Sequence, residues 1–220
     1  MDDIELLGIP HSTFVRTVRI ACEEKGVPYR LIPVMPHTPE VLAVNPFGKI
    51  PAMRHGDLRL FESLAILGYV DRAFPGPKLF PQDAVECGRV LQWVSGVSSN
   101  LQPRMSGYLQ GYYFSAAPDG SPDRAQIDAA LPGMTAGLTM LDAVLSTSAH
   151  LATESFSLAD MCLIPNLYWL IQCPEARAAI GSARYLSRYY DQVSQRPSVR
   201  ATEPPPFEEL VKARNGNAPR

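Results

Sequence analysis

The stretch Phe74-Pro75-Gly76-Pro77-Lys78-Leu79-Phe80-Pro81 constrains the fold more than any other. Three prolines and a glycine in eight residues cannot continue a helix or a central strand, so the segment reads as a linker. The pattern changes across it. Before it, short strand-like and helix-like segments alternate; after it, only helical periodicity is found. Domain limits follow: an α/β domain over 1–75, a linker over 76–83, an all-α helical domain over 84–201 and a tail over 202–220 that starts at Thr202 and contains Pro204-Pro205-Pro206. A chain of 220 residues has room for two such domains.

In the first part, Ile4 to Gly8 is a short apolar strand, broken by Pro10-His11-Ser12. Thr13 to Gly26 has helical spacing, with Phe14, Val18, Ala21 and Cys22 on one face and Arg16, Arg19 and Glu23 off it. Ser12 fits the N-cap and Gly26 the stop. Tyr29 to Val34 is a second strand and Pro39 to Val44 a short helix. Ala52 to Arg54 and Leu58 to Phe61 flank His55-Gly56-Asp57 as a hairpin, and Ser63 to Phe74 is helical. The order is β-α-β-α-β-β-α, and strands separated by a helix are expected to run parallel. In the second part, Ile127, Leu131, Met134, Leu138, Leu141 and Leu145 form one stripe interrupted by Pro132. Met161 to Leu170 is apolar nearly all round, as a central helix is.

The charge balance excludes some functions. A net charge of −2 leaves no basic excess for a phosphate backbone, so nucleic acid is not expected as a partner. No apolar run reaches the ~18 residues a membrane span needs. The acidic start Met1-Asp2-Asp3-Ile4-Glu5 does not read as a signal peptide. Cys22, Cys87, Cys162 and Cys173 show neither a C-x-x-C spacing nor a cysteine–histidine cluster, so reduced thiols in a cytoplasmic protein without a metal are expected.

Four local features can carry chemistry, and each has a plainer reading. Ser12 at a strand-to-helix turn is either an N-cap or a hydroxyl at a helix N-terminus, where unpaired N–H groups and a partial positive charge favour an anion. Such a place would lower the pKa of a bound thiol. In Asn45-Pro46-Phe47-Gly48-Lys49-Ile50-Pro51-Ala52, a cis Ile50–Pro51 bond would turn the Ile50 backbone toward a ligand. Glu62-Ser63 opens a helix, either as a cap or as a second carboxylate-binding N-terminus. Ser157 with Asp160 reads as a structural capping box.

In order and spacing, these features resemble a cytosolic glutathione transferase over roughly Ile4 to Pro197. Gly8-Ile9-Pro10-His11-Ser12-Thr13-Phe14-Val15-Arg16-Thr17-Val18 resembles the family's first strand, catalytic loop and first helix. Asn45 to Pro51 resembles its N-P-F-G-x-I-P turn, Phe61-Glu62-Ser63 its F-E-S step and Ser157-Leu158-Ala159-Asp160 its S-x-A-D box, with Arg196-Pro197-Ser198 as its closing segment.

The resemblance implies a thioredoxin-like glutathione-binding domain followed by a helical domain. It implies that Ser12 stabilises the glutathione thiolate, that Ile50, before Pro51, pairs with the cysteinyl backbone, and that Glu62 and Ser63 hold the γ-glutamyl carboxylate. Lys49 and His37 would meet the glycine carboxylate. The acceptor pocket would draw on His11 and Phe14 and, in the helical domain, on Met105, Tyr108 and Tyr112. The helical spacing equally allows those last three to be core. A homodimer with Phe47 as its anchor is implied, a monomer with Phe47 in its own core being the alternative. The first strand lacks tyrosine, Pro10 to Val15 lacks cysteine, and Cys22 lies on an apolar helix face. The chain therefore resembles serine-type, phi- or theta-like members of a bacterial kind, although Leu64 stands where phi members often carry arginine. The expected activity is transfer of glutathione to an electrophilic small molecule. A non-catalytic binding or regulatory protein is an alternative, as is a glutathione-dependent isomerase, dehalogenase or peroxidase on the same scaffold.

Overall fold

The computed structural model describes residues 3–114 and 121–207. Its contacts divide the chain into two units, one formed by the residues up to Leu79 together with those from Pro197 on, the other by Phe80–Arg196.

The first unit is built on a four-stranded sheet in the order β2-β1-β3-β4. The strands are β1 (Ile4–Leu7), β2 (Tyr29–Ile32), β3 (Ala52–His55) and β4 (Leu58–Phe61). Helix α1 (Thr13–Lys25) crosses from β1 to β2, which pair in parallel. The expectation that every helix-separated strand runs parallel fails at β3, which is antiparallel to β1. Helix α2 (Pro39–Leu42) has four residues, a single turn, too short for a crossover that normally takes a dozen or more. The chain instead turns at residues 45–51 and enters on the far side of β1. His55 belongs to β3 and pairs with Leu58, so the hairpin loop is Gly56-Asp57, with Gly56 at φ 55°. Helix α3 (Ser63–Ala73) completes the expected set.

Helix α1 is buried on more sides than its apolar stripe predicts. Arg16, placed off that face by spacing, is 2% exposed. The reason is a second neighbour: besides α3, α1 packs against α10 (Pro197–Ala201), and Arg16 Nη2 donates to Val199 O at 3.1 Å. By its contacts the chain joins the first unit from Pro197 on, ahead of the expected boundary at 201/202. The part of the expected tail beyond Phe207 lies outside the described residues. At the other end of α1, buried Lys25 donates to Asp71 Oδ1 at 3.3 Å and to Pro77 O at 3.0 Å, while Asp71 also accepts from Leu79 N at 2.7 Å. The start of the linker is thus fastened to α1 and α3.

The second unit is helical: α4 (Ala84–Gly96), α5 (Gln102–Tyr113), α6 (Arg124–Leu145), α7 (Leu158–Leu170), α8 (Pro174–Ser182) and α9 (Arg184–Val193), with a π-helical turn at Val97–Leu101 between α4 and α5. On α6, Ile127, Met134, Leu138, Leu141 and Leu145 are buried as the stripe requires and Leu131 is half-buried, with Pro132 inside the helix. Helix α7 is buried on nearly every side. The Asp160 carboxylate at its start accepts from Leu151 N (2.9 Å), Ser157 N (2.8 Å), Ser157 Oγ (3.0 Å) and Tyr189 OH (2.9 Å). That is the structural role expected of a buried acid at a helix N-terminus. None of the described helices is long and apolar enough to cross a membrane.

Candidate active site

Strand register brings the site together. Leu7, the last residue of β1, pairs with Ala52, the first of β3, and Ala52 pairs with Phe61, the last of β4. The segments that follow or precede these residues therefore meet at one end of the sheet: Gly8 to Ser12 after β1, Ile50-Pro51 before β3, and Glu62-Ser63 after β4. Neighbouring strands lie about 4.8 Å apart, so the three strand ends span ~10 Å, the length of an extended tripeptide.

Ser12 caps α1. Its backbone is extended at φ −70°, ψ 127°, and its Oγ accepts from Val15 N at 3.4 Å. The cap and the functional reading coexist, since an oxygen that accepts this bond keeps its own hydrogen to donate. No acidic residue lies in the first turn of α1, so the chain itself does not neutralise the positive end of that helix. Gly8 lets the loop close on β3: a Cβ there would stand 2.5 Å from Val15 Cγ2 and 3.3 Å from Ile50 Cβ.

The Ile50–Pro51 bond is cis. Asn45, 1% exposed, braces the turn before it. Its Nδ2 donates to Lys49 O at 2.7 Å and its Oδ1 accepts from Phe47 N at 3.0 Å. His37, expected near this turn, lies on it. Its N–H donates to Gly48 O at 2.7 Å, and a Cβ on Gly48 (φ 64°) would come within 2.3 Å of His37 Nδ1. The His37 ring and Lys49, both on exposed residues, thus flank one glycine.

Glu62 has φ 66° and ψ 119°, a conformation costing ~1–3 kcal/mol for a residue with a Cβ. Its side chain does not cap α3, so the first N–H groups of that helix, beside Ser63, receive no bond from it. His37 (φ 63°) and Glu62 are the two non-glycine residues with positive φ among those described, and both belong to this sheet end. Phe47 is 62% exposed and meets Phe61 edge-on, ring centroids 5.9 Å apart. His11 and Phe14 are half-buried beside Ser12.

The remaining candidates lie on α5 in the helical unit. Met105 and Tyr108 are buried there, the core role that helical spacing left open. The Tyr108 hydroxyl donates to Glu175 Oε2 at 2.9 Å, the Tyr112 hydroxyl donates to the same oxygen, and Arg124 Nη1 donates to Glu175 Oε1 at 2.7 Å. The Tyr112 and Arg124 bonds hold the Glu175 carboxyl down at about 2. Burial pushes the Cys22 thiol up to about 12, which makes it an inert packing residue, as its helix face suggested. Among the described residues no group of three or more histidine, cysteine, aspartate and glutamate side chains is arranged to hold a metal.

Sequence reasoning missed Asn45 and Gly8 as working residues. Asn45 was legible in principle, because asparagine before a proline at a turn is suited to brace its own backbone. Gly8 was not, because its need depends on how Val15 of α1 folds back over it, with Ile50 just beyond.

Residues 6–78 match the family model of the glutathione S-transferase N-terminal domain, and residues 102–197 that of the C-terminal domain. A glutathione S-transferase of Triticum aestivum is 32% identical over 206 residues, covering 90% of this chain and 92% of the relative. The chain belongs to the glutathione S-transferase family. Its fold agrees with that of glutathione transferase F7 from Populus trichocarpa, at a TM-score of 0.82 and 29% identity over 90% of this chain and 97% of that one. Maize glutathione S-transferase I, solved in complex with an atrazine glutathione conjugate, is similar at a TM-score of 0.80 and 26% identity, covering 91% of this chain and 96% of that one. The thioredoxin-like plus helical fold and the assignment as a glutathione transferase both rest on this membership.

Proposed function

We propose that the chain binds glutathione across this sheet end, holds its sulfur as a thiolate against Ser12 and transfers it to an electrophilic small molecule. The observation that carries this reading is the register Leu7–Ala52–Phe61, which gathers three differently built stations within one tripeptide length. Glutathione offers an ammonium, two carboxylates, a peptide backbone and a thiol, and the three stations, with Lys49 and His37 on the adjoining turn, divide these groups among them.

The Ser63 hydroxyl and the open N–H groups of α3 take the γ-glutamyl carboxylate. Like charges repel, so the Glu62 carboxylate takes the γ-glutamyl ammonium rather than the carboxylate. The Ile50 backbone, presented by cis Pro51, pairs with the cysteinyl peptide. Lys49 and His37 receive the glycine carboxylate. At Ser12 the hydroxyl donates to sulfur while Val15 N–H polarises it, and the unfilled positive end of α1 favours the anion. A free thiol titrates near 8.5, and each unit of lowering favours the thiolate by about 1.4 kcal/mol. The proton leaves to solvent. The sulfur lone pair forms the S–C bond, and the leaving group departs with its electron pair. Proximity to the bound thiolate supplies much of the acceleration. His11 and Phe14 would stand on the acceptor side of Ser12; Tyr108 and Tyr112 bind Glu175 of α8 and Met105 is buried on α5.

This makes the chain a serine-type, phi- or theta-like member of its family. The exposed ring of Phe47 supports a homodimer anchored there. Its four cysteines are free thiols, which supports a cytoplasmic compartment.

The test is retention on immobilised glutathione followed by turnover of a chloronitroaromatic substrate. Ser12→Ala should lower kcat about 10²–10³-fold by loss of one preorganised donor, with glutathione affinity nearly kept. The ultraviolet thiolate absorbance should titrate at higher pH in the variant. Equal kcat in both proteins would remove the role given to Ser12.

A further inference from the structure

Strand β2 is one edge of the sheet, and part of its hydrogen-bonding capacity is unspent. Backbone groups of successive residues in a strand point to opposite sides. Gly8 N donates to Ile32 O at 3.0 Å, so Ile32 and, by alternation, Arg30 face β1. The N–H and C=O groups of Tyr29 and Leu31 therefore face away from the sheet, and no hydrogen bond from the described residues reaches them. Pro28 and Pro33 bound this free edge, since a proline has no N–H to offer. Edge strands are commonly closed off by a covering helix or loop. Here the edge borders an open groove of about 610 Å³ instead, lined by Tyr29 and Leu31 on the strand side and by Arg19, Cys22 and Glu23 of α1 on the other.

The α1 wall carries opposite charges one turn apart. Arg19 spends Nε on the Tyr29 hydroxyl at 3.2 Å and Nη1 on Thr202 O at 3.2 Å, which leaves Nη2 to donate. Glu23 meets the same Tyr29 hydroxyl. Residues four apart on a helix are separated by ~6 Å along its axis. Residues two apart in a strand lie on one face, ~6.6 Å from each other. The two repeats match. We propose that the β2 edge is a docking site for an extended segment of a partner protein that carries an acidic and a basic residue two positions apart. The segment adds to the sheet as a fifth strand through the free backbone groups of Tyr29 and Leu31. Its acid meets Arg19 and its base meets Glu23, so a segment with like charges at these positions is repelled at one of them.

Fluorescence anisotropy of labelled pentapeptides with the full chain tests this. Val-Glu-Val-Lys-Val should bind about fivefold tighter than Val-Glu-Lys-Val-Val, whose charges fall on opposite faces of the strand. Glu23→Lys should weaken binding of Val-Glu-Val-Lys-Val about tenfold and make Val-Glu-Val-Glu-Val the preferred peptide. That reversal is a gain of binding, which a folding defect does not imitate. N-methylation of one alternating set of peptide residues should abolish binding, because their N–H groups face β2, while methylation of the other set should leave the affinity within about twofold. Turnover of the chloronitroaromatic substrate by Glu23→Lys should stay within about twofold of the unaltered chain, so the outcome at this edge is independent of the glutathione reading. Three results would each overturn the assignment: no binding of Val-Glu-Val-Lys-Val at ~1 mM, equal effects from the two methylated sets, or an unchanged peptide preference in Glu23→Lys.

Discussion

Two serines stand at helix N-termini, Ser12 before α1 and Ser157 before α7, in surroundings of opposite character. Ser157 is 8% exposed, and its hydroxyl hydrogen is spent on Asp160. Asp160 itself lies in the first turn of α7 and places a carboxylate where that helix is positive. Ser12 is half-buried and accepts from Val15 N, and the first turn of α1 carries no acid. The residue type and the cap position are the same. What differs is whether the helix has already supplied its own anion, and on the proposed function it is this difference, rather than the serine, that sets α1 apart from α7.

The largest effect expected from this contrast is at Asp160. Asp160→Ala deprives two backbone N–H groups and the Ser157 and Tyr189 hydroxyls of one acceptor. Each buried group left unpaired costs ~1–3 kcal/mol, so the variant should lose about 4 kcal/mol in urea unfolding. A loss below ~1 kcal/mol would show that α7 does not depend on its internal acid. Ser12→Ala, by contrast, should cost only the ~1 kcal/mol of a removed cap while carrying the kinetic loss given above.

The next prediction makes the two ends alike. Thr13→Asp puts an acid in the first turn of α1, as Asp160 is in α7. A carboxylate some 6 Å from a thiolate, at an effective dielectric near 20, repels it by ~2–3 kcal/mol. Glutathione affinity measured by calorimetry above pH 8 should fall roughly 30- to 150-fold, while the thermal midpoint rises slightly from the better helix terminus. Unchanged affinity would mean that α1 does not hold the sulfur as an anion.

Glu62 sharpens the contrast from the side of strain. A residue with a Cβ at φ 66° is kept there against a penalty of ~1–3 kcal/mol. Glu62→Gly relieves that penalty, partly offset by the larger chain entropy glycine loses, so the fold should gain about 1 kcal/mol in urea. Glutathione affinity should drop at least fivefold through loss of the ammonium partner. A variant that gains stability and keeps its affinity would separate the strain from the binding.

The sequence carries the fold through local signals that survive into the structure. The linker prolines, the α6 stripe and the all-apolar α7 each act within one element, and each is found where its period places it. Arg16 and β3 were not legible, for the same reason. The burial of Arg16 depends on α10 arriving from 183 residues away, and the direction of β3 depends on how the 45–51 turn enters the sheet. At the site, Ser12, Ile50, Glu62 and Ser63 could be named one by one as helix starts or turn residues. Their shared location is a matter of register, which no local pattern states. Tyr108 and Tyr112 fit two readings because helical spacing describes a face and not its occupant, and the occupant is Glu175.

The smallest effect concerns that occupant and tests whether the helical unit's polar groups are as fully committed as Asp160. The Glu175 carboxyl is held at about 2 against an ordinary 4.5, first by the Tyr112 hydroxyl and then by Arg124. A carboxyl whose folded pKa lies below its unfolded one adds stability that is complete above about 4.5 and is lost as pH falls toward about 2. Tyr112→Phe removes the leading donor, so part of that contribution should vanish. The difference in thermal midpoint between the unaltered chain and the variant should be a few degrees at pH 6, shrink through pH 4 and close near pH 2. The effect is kept small because Arg124 is half-exposed and the pair is screened by solvent and salt. A difference that stayed constant with pH would assign Tyr112 a packing role alone and leave Glu175 held chiefly by Arg124.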